Sequence, residues 1–311
     1  MCILIVKTFV PVRTRRFAPG TPYASLVFLH LPRIIWYHTG TLDETGVTWG
    51  VSRRAGISGH KPSVALSKEG YVILVFSDQD HKNGSILVYQ VGRIDPYGGR
   101  DQSITWLTGT IGWDRGFHNA IAINDNGIIV GVHETGHAST GLYYRVGRFT
   151  DPAAGAYTIH WDSGVYGIKY DDGINPHIAI NNQNQVVAVH QVSSSDFLLH
   201  YRRGTVIGGV IHFGESRRYD NYAIAPAVAL LDSGLVLEVH CLGGFVSRTG
   251  RLSPVDPDVI DWAEPVMVYH KNFFRYPALA SNGTYALAAM DDSLFIGPDP
   301  KLHCSFAKVC E

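Results

Sequence analysis

Asp114, Asp171 and Asp220 are followed by His133, His190 and His240 at separations of 19, 19 and 20 residues. An aromatic residue directly precedes each aspartate: Trp113, Tyr170 and Tyr219. Carboxylate, imidazole and aromatic ring are the groups that bind a sugar. The ring stacks on the sugar's apolar face, while acceptor and donor bridge its hydroxyls. Several weak copies of such a site would act together through avidity. The same residues also suit a purely structural role, in which each buried imidazole is satisfied by its carboxylate and holds the chain in place. These nine residues are the candidate ligand-binding set, and the structural role is its competitor.

The elements that position them repeat as well. Pro62, Asn119, Pro176, Pro226 and Pro277 each open a similar stretch, at intervals of 57, 57, 50 and 51 residues. A second mark, an aromatic closing a short β-like run, keeps step with the first at Trp49, Trp106, Trp161, Phe213 and Trp262. Each unit holds four strand-like runs, exemplified by AIAIN, GIIVGVH, GLYYRVGRF and YTIHW in the third. The runs alternate or are β-branched, and turns such as DNG and DSG suit tight hairpins.

Four antiparallel strands in about 50 residues is the size of a propeller blade. The expected fold is therefore all-β, a six-bladed β-propeller in one domain over 1–311, with seven blades as the alternative count. The units fall at approximately 13–57, 58–114, 115–171, 172–221, 222–272 and 273–311 plus 1–12. The N-terminal run CILIVKTFV is assigned to close the last blade, and His30 is read as the first unit's counterpart of the histidines. Because the strand before each histidine runs back to the end where the aspartate lies, the two are placed on one face.

This arrangement resembles the His and Asp network of WD40 propellers, although the GH…WD signature is absent. TLDETGVTW, from Thr41 to Trp49, resembles the Asp box of sialidases, S-x-D-x-G-x-T-W, with one additional residue. In that family the box is a folding element, so it implies a propeller more than a chemistry. A sialidase-like enzyme would also need an arginine triad, a tyrosine nucleophile and an acid/base aspartate.

The totals exclude several classes. With 26 basic and 27 acidic residues in 311, there is no electrostatic footprint for nucleic acid or an anionic membrane. No run approaches the ~20 apolar residues of a membrane span, and the N-terminus reads as a strand, not a signal peptide. Cys2, Cys241, Cys304 and Cys310 are too scattered for a disulfide framework. Asn83 and Asn282 stand in glycosylation sequons. DQDHKNG misses calcium-loop spacing, and His118, His133 and His137 fall short of a metal motif, so no cofactor is implied. The expectation is a non-enzymatic, lectin-like binding propeller whose partner is a carbohydrate or a protein. A docking propeller and a sialidase-like glycoside hydrolase are the alternatives.

Overall fold

The computed structural model describes residues 2–9, 34–43, 46–78, 85–95, 101–136, 139–151, 155–164, 167–241, 244–269, 275–281, 285–291 and 302–309. His30, His137, Cys310, the sequon residues Asn83 and Asn282, and all of DQDHKNG but Asp78 lie outside them. Every regular element among the described residues is a β-strand, and every pairing is antiparallel. None of them forms a helix long and apolar enough to cross a membrane.

The first sheet contains β1 (Cys2–Phe9), β2 (Ile34–Asp43), β3 (Gly46–Trp49) and β4 (Arg53–Ser58). The second has β5 (His60–Leu66), β6 (Tyr71–Ser77), β7 (Ser85–Arg93) and β8 (Thr105–Trp106). The long β9 (Ile111–Ile123) then ends the second sheet and starts the third, because its first half pairs with β7 and its second half with β10 (Ile129–Gly136). Beyond β10 come β11 (Ser139–Asp151), β12 (Ala156–Trp161) and β13 (Ile168–Asp172). The fourth sheet runs through β14 (Ile174–Ile180), β15 (Gln185–Gln191), β16 (Leu199–Ile207), β17 (Val210–Phe213) and β18 (Arg217–Asp220). The fifth runs through β19 (Ile224–Leu230), β20 (Leu235–Cys241), β21 (Phe245–Leu252), β22 (Ile260–Trp262) and β23 (Val266–Tyr269). A last sheet contains β24 (Arg275–Ser281), β25 (Tyr285–Asp291) and β26 (Leu302–Lys308).

One plan recurs. An inner strand turns tightly into a second, which pairs with a third, and the outer fourth strand comes in two pieces. In the third sheet β12 pairs with one end of β11 and β13 with the other. The tight turn follows from its residues. Asn124 Oδ1 accepts the amides of Asn126 and Ile128, and Gly127 takes the left-handed φ of +75°.

The sheets stack face to face, and the core lies between them. On β15 the sequence QVVAVHQ buries Val186 and Ala188 against the third sheet and Val187 and Val189 against the fifth. A strand buried on both faces reads as a continuous apolar run, which is why alternation is muted there. The inner strands succeed one another as β5, β9, β14, β19 and β24. At their turn end, side-chain amides tie neighbours together: Asn124 donates to Asn181 O at 2.9 Å, and Asn181 to Leu231 O at 3.3 Å.

The N-terminal strand departs from expectation. β1 does not complete the last sheet but pairs with β2 in the first, from Cys2 opposite Thr41 to Phe9 opposite Ile34. The physical reason is that β2 needs an inner neighbour, as β7 has β6, and β1 then packs on β5 as β6 packs on β9. In the last sheet β25 finds its outward neighbour in β26.

Candidate functional site

The recurring residues meet between sheets. Asp114, on the outer strand of the second sheet, lies 3.1 Å from Nε2 of His133 on β10 of the third. Asp171 and Asp220 stand 3.6 Å from Nε2 of His190 and His240 in the same way. Local backbone makes room for the rings. A Cβ on Gly116 would stand 2.5 Å from His133 Nδ1, and one on Gly173 would stand 2.5 Å from His190 Cδ2, so the chain crosses these two imidazoles at a glycine. His133, His190 and His240 are 2%, 1% and 0% exposed.

A third recurring member went unnoticed in the sequence. Arg145, Arg202 and Arg248 sit at matching positions on the third strands, opposite Gly131, Ala188 and Glu238. Arg202 Nε donates to Asp171 at 2.8 Å, Arg248 Nη2 lies 3.3 Å from Asp220, and Arg145 donates to the carbonyl of Trp113. Burial raises the pKa of Asp114, but the hydrogen bond and charge of His133, with the Arg115 amide and Arg145, more than offset it and hold it low. Ser216 and Arg202 do the same for Asp171. Burial pushes His190 down to about 4 against the pull of Asp171. The fifth sheet adds a fully buried carboxylate: Glu238 accepts from Tyr219 Oη at 2.9 Å and lies 3.0 Å from His240 Nδ1. Burial, then Glu238, lifts the nearby Cys241 thiol to about 12.

The aromatics that precede the aspartates join sheets too. Trp113 stacks on Trp161, Tyr170 on Phe213 and Tyr219 on Trp262, at centroid distances of 5.2, 5.0 and 5.1 Å. Each partner is the aromatic that marks the next unit. Tyrosines of the third strands reach the same motifs. The hydroxyls of Tyr37, Tyr89, Tyr144 and Tyr201 accept the amides of Ile104, Ile159, Ile211 and Ile260 at 2.9–3.1 Å. These hydroxyl contacts link residues 59 to 70 positions apart, so local spacing gave no sign of them.

A different group gathers where the inner strands begin. On β5, β9, β14 and β19 one residue each is bulged into the left-handed region: Lys61, His118, Asn175 and Ala225, with φ of 49°, 34°, 52° and 51°. The ladder slips by one residue at each place. Bulges re-aim side chains, and here the four side chains differ. The facing position at the end of the second strand also varies, being Ser77, Glu134, Gln191 and Cys241. His118 Nδ1 stands 2.7 Å from Glu134 Oε1, and Glu134 Oε2 accepts the Asn175 amide of the next sheet at 2.9 Å. Asn175 Nδ2 donates to Gln191 Oε1 at 3.3 Å, and Asn119 Nδ2 to Lys61 O at 3.4 Å. The side chain of Glu134 is 3% exposed and that of His118 21%, so the imidazole fronts a carboxylate buried beneath it. Unlike the recurring set, this rim concentrates unrelated polar groups in one place. A shallow groove of about 540 Å³ near Leu235, Arg251 and Asp261 lies at the opposite, turn end.

No family model matches the chain, and no curated protein does. Solved structures share its fold. A protein of unknown function from Dyadobacter fermentans aligns with a TM-score of 0.58 at 12% identity, over 93% of this chain and 87% of that one. The Hadza microbial sialidase Hz136 aligns at 0.56 and 10% identity, over 85% of this chain and 58% of its own length, so this chain spans little more than half of it. The α-L-arabinanase of Penicillium chrysogenum, solved with arabinobiose, aligns at 0.55 and 12% identity, over 88% and 85%. At such identity the likeness is one of fold, the all-β propeller with antiparallel sheets.

Proposed function

We propose that the protein is a six-bladed propeller glycoside hydrolase that takes a neutral carbohydrate at one site, the rim formed by Lys61, His118, Glu134 and Asn175. The observation that carries this reading is the contrast between the two sets of polar residues. Those that recur from blade to blade are buried in joints between sheets, whereas those at the rim differ from blade to blade and converge. Several equivalent binding sites would need the recurring set at the surface, and a single site needs only the rim.

The chemistry follows from the geometry. His118, partly exposed above Glu134, is the group a sugar meets first, and Glu134 orients it. A carboxylate-held imidazole can carry a proton to or from a glycosidic oxygen. Glycoside hydrolysis also asks for a second acid on the far side of the sugar. Asp291 ends β25 at the register position that Glu134 holds in β10, since Arg275 faces it as Phe117 faces Glu134. The carbohydrate class draws support from the fold shared with a sialidase and with an arabinanase that binds arabinobiose. A neutral sugar is favoured over a sialic acid because Arg145, Arg202 and Arg248 are engaged between sheets.

The test is a hydrolysis screen on arabinan, xylan and aryl glycosides with wild type, Glu134→Gln, His118→Ala and Asp291→Asn. Turnover of one substrate class, cut at least ~100-fold in each folded variant, is the expected result. Binding without turnover would leave a single-site carbohydrate receptor, and unchanged turnover in Glu134→Gln would remove the rim from the chemistry.

A further inference from the structure

The aspartate–histidine spacing is 19 residues twice and 20 once, and the additional residue has a location. After Asp114 and Asp171 the chain reaches the ring-crossing glycine in two steps, at Gly116 and Gly173, but after Asp220 it takes three to reach Ala223. The stretch Asn221–Tyr222 therefore holds one residue that the repeat does not call for. Tyr222 is 76% exposed with φ of +61°, a conformation that aromatic L-residues rarely adopt. Beside it is a second such residue. Phe197, in the connection between β15 and β16, is 41% exposed with φ of +52°, and its carbonyl accepts the Ala223 amide at 2.7 Å.

Both lie at the rim end of the fold, and both are anchored to the rim. Ser193 Oγ accepts the amides of Ser195 and Asp196, which fixes the connection that carries Phe197. Gln191 Nε2 donates to Ser193 O at 2.6 Å, while Gln191 Oε1 accepts from Asn175, whose amide is bound to Glu134. Hydrogen bonds thus link Glu134 through Asn175 and Gln191 to Ser193, in the connection that carries Phe197, whose carbonyl holds the amide next to Tyr222. The bulge position of the fifth sheet is Ala225, the smallest of the four.

We propose that Phe197 and Tyr222 form an aromatic ledge that stacks a second sugar unit of a chain whose first unit sits at His118 and Glu134. This inference rests on the carbohydrate reading above and extends it to oligosaccharides. Two rings held in a disfavoured backbone, exposed and next to a polar rim, suit a ligand with an apolar face and a hydroxylated edge.

The experiment is calorimetric titration of arabinose, xylose and their oligosaccharides of two to five units into wild type, Tyr222→Gly, Tyr222→Phe, Phe197→Gly and Glu134→Gln. Glycine keeps the left-handed backbone while removing the ring. Circular dichroism and thermal melting of each variant establish that it is folded. The expected result is tighter binding of oligosaccharides than of the single sugar by wild type and Tyr222→Phe. Tyr222→Gly and Phe197→Gly each lose about 5- to 10-fold of that advantage, the scale of one aromatic contact, with single-sugar binding unchanged. If both glycine variants bind every oligosaccharide as wild type does, the ledge is no subsite, whatever Glu134→Gln does. If oligosaccharide binding falls in the glycine variants but not in Glu134→Gln, the ledge stands and the rim reading fails. If wild type binds none of these sugars, both are overturned.

Discussion

His190 is held by burial, by Asp171 and by the stretch of chain that passes over it at Gly173, and none of this leaves its imidazole a route to water. His177 lies one strand inward and is half-buried, its Nδ1 accepting the Val228 amide of the fifth sheet at 3.3 Å. Burial lowers both histidines to about 4. Between pH 4 and 6.5 the unfolded chain therefore binds protons that the folded one does not. Their stabilisation is complete above about pH 6.5 and is lost as the pH falls towards 4. Melting temperature should accordingly drop across that window, and His177→Gln should flatten the drop. A profile equally steep in wild type and variant would show that His177 does not titrate in this way. Tyr144 tests another joint. Its hydroxyl accepts the Ile211 amide and donates to the Ile211 carbonyl, at 3.1 and 3.2 Å. Tyr144→Phe leaves a buried amide without its partner and should cost about 1–3 kcal/mol in urea unfolding.

At the scale of the element, much could be read from the sequence, and the remainder was hidden for definable reasons. The tight turns, the strand runs and the pairing of Asp114 with His133 all follow from local spacing. The role of the IHW and IDW runs did not. Ile159 and Ile260 give their amides to tyrosines 70 and 59 residues away, and nothing local marks those tyrosines as special. The aromatics beside the aspartates read as a ligand wall, whereas each is stacked on the aromatic that marks the next unit. The N-terminal strand was misplaced because its alternation suits any sheet edge, and only pairing with β2 decides which. The rim has no signature in the sequence because its positions differ from unit to unit, although the irregular 20-residue spacing at Tyr222 is visible there. Packing within one element can be tested at Gly147, where a Cβ would stand 2.5 Å from His160 O and 3.0 Å from Trp161 Cε3. Gly147→Ala should destabilise by roughly 1–3 kcal/mol by pushing Trp161 off Trp113. The near-ultraviolet circular dichroism of the tryptophans should weaken with it. An unchanged spectrum and stability would mean that the third strand yields to accommodate the methyl.

Across the whole molecule, repetition and function divide the residues between them. A stack of similar sheets needs similar joints, and those joints consume the aspartates, histidines, arginines and aromatics that recur. What remains different from sheet to sheet includes the linked His118, Glu134 and Asn175, at the same end of the fold as Phe197 and Tyr222. On the proposed reading such a propeller has one site, whatever its number of joints. The most direct measurement is the stoichiometry of carbohydrate binding, by titrating arabino-oligosaccharides into the protein in a calorimeter. One sugar chain bound per protein, weakened by Glu134→Gln and unaffected in number by Asp171→Asn, is the predicted result. Three or more equivalent chains bound, with one lost in folded Asp171→Asn, would contradict the account and return the recurring aspartates and histidines to the role of ligand sites.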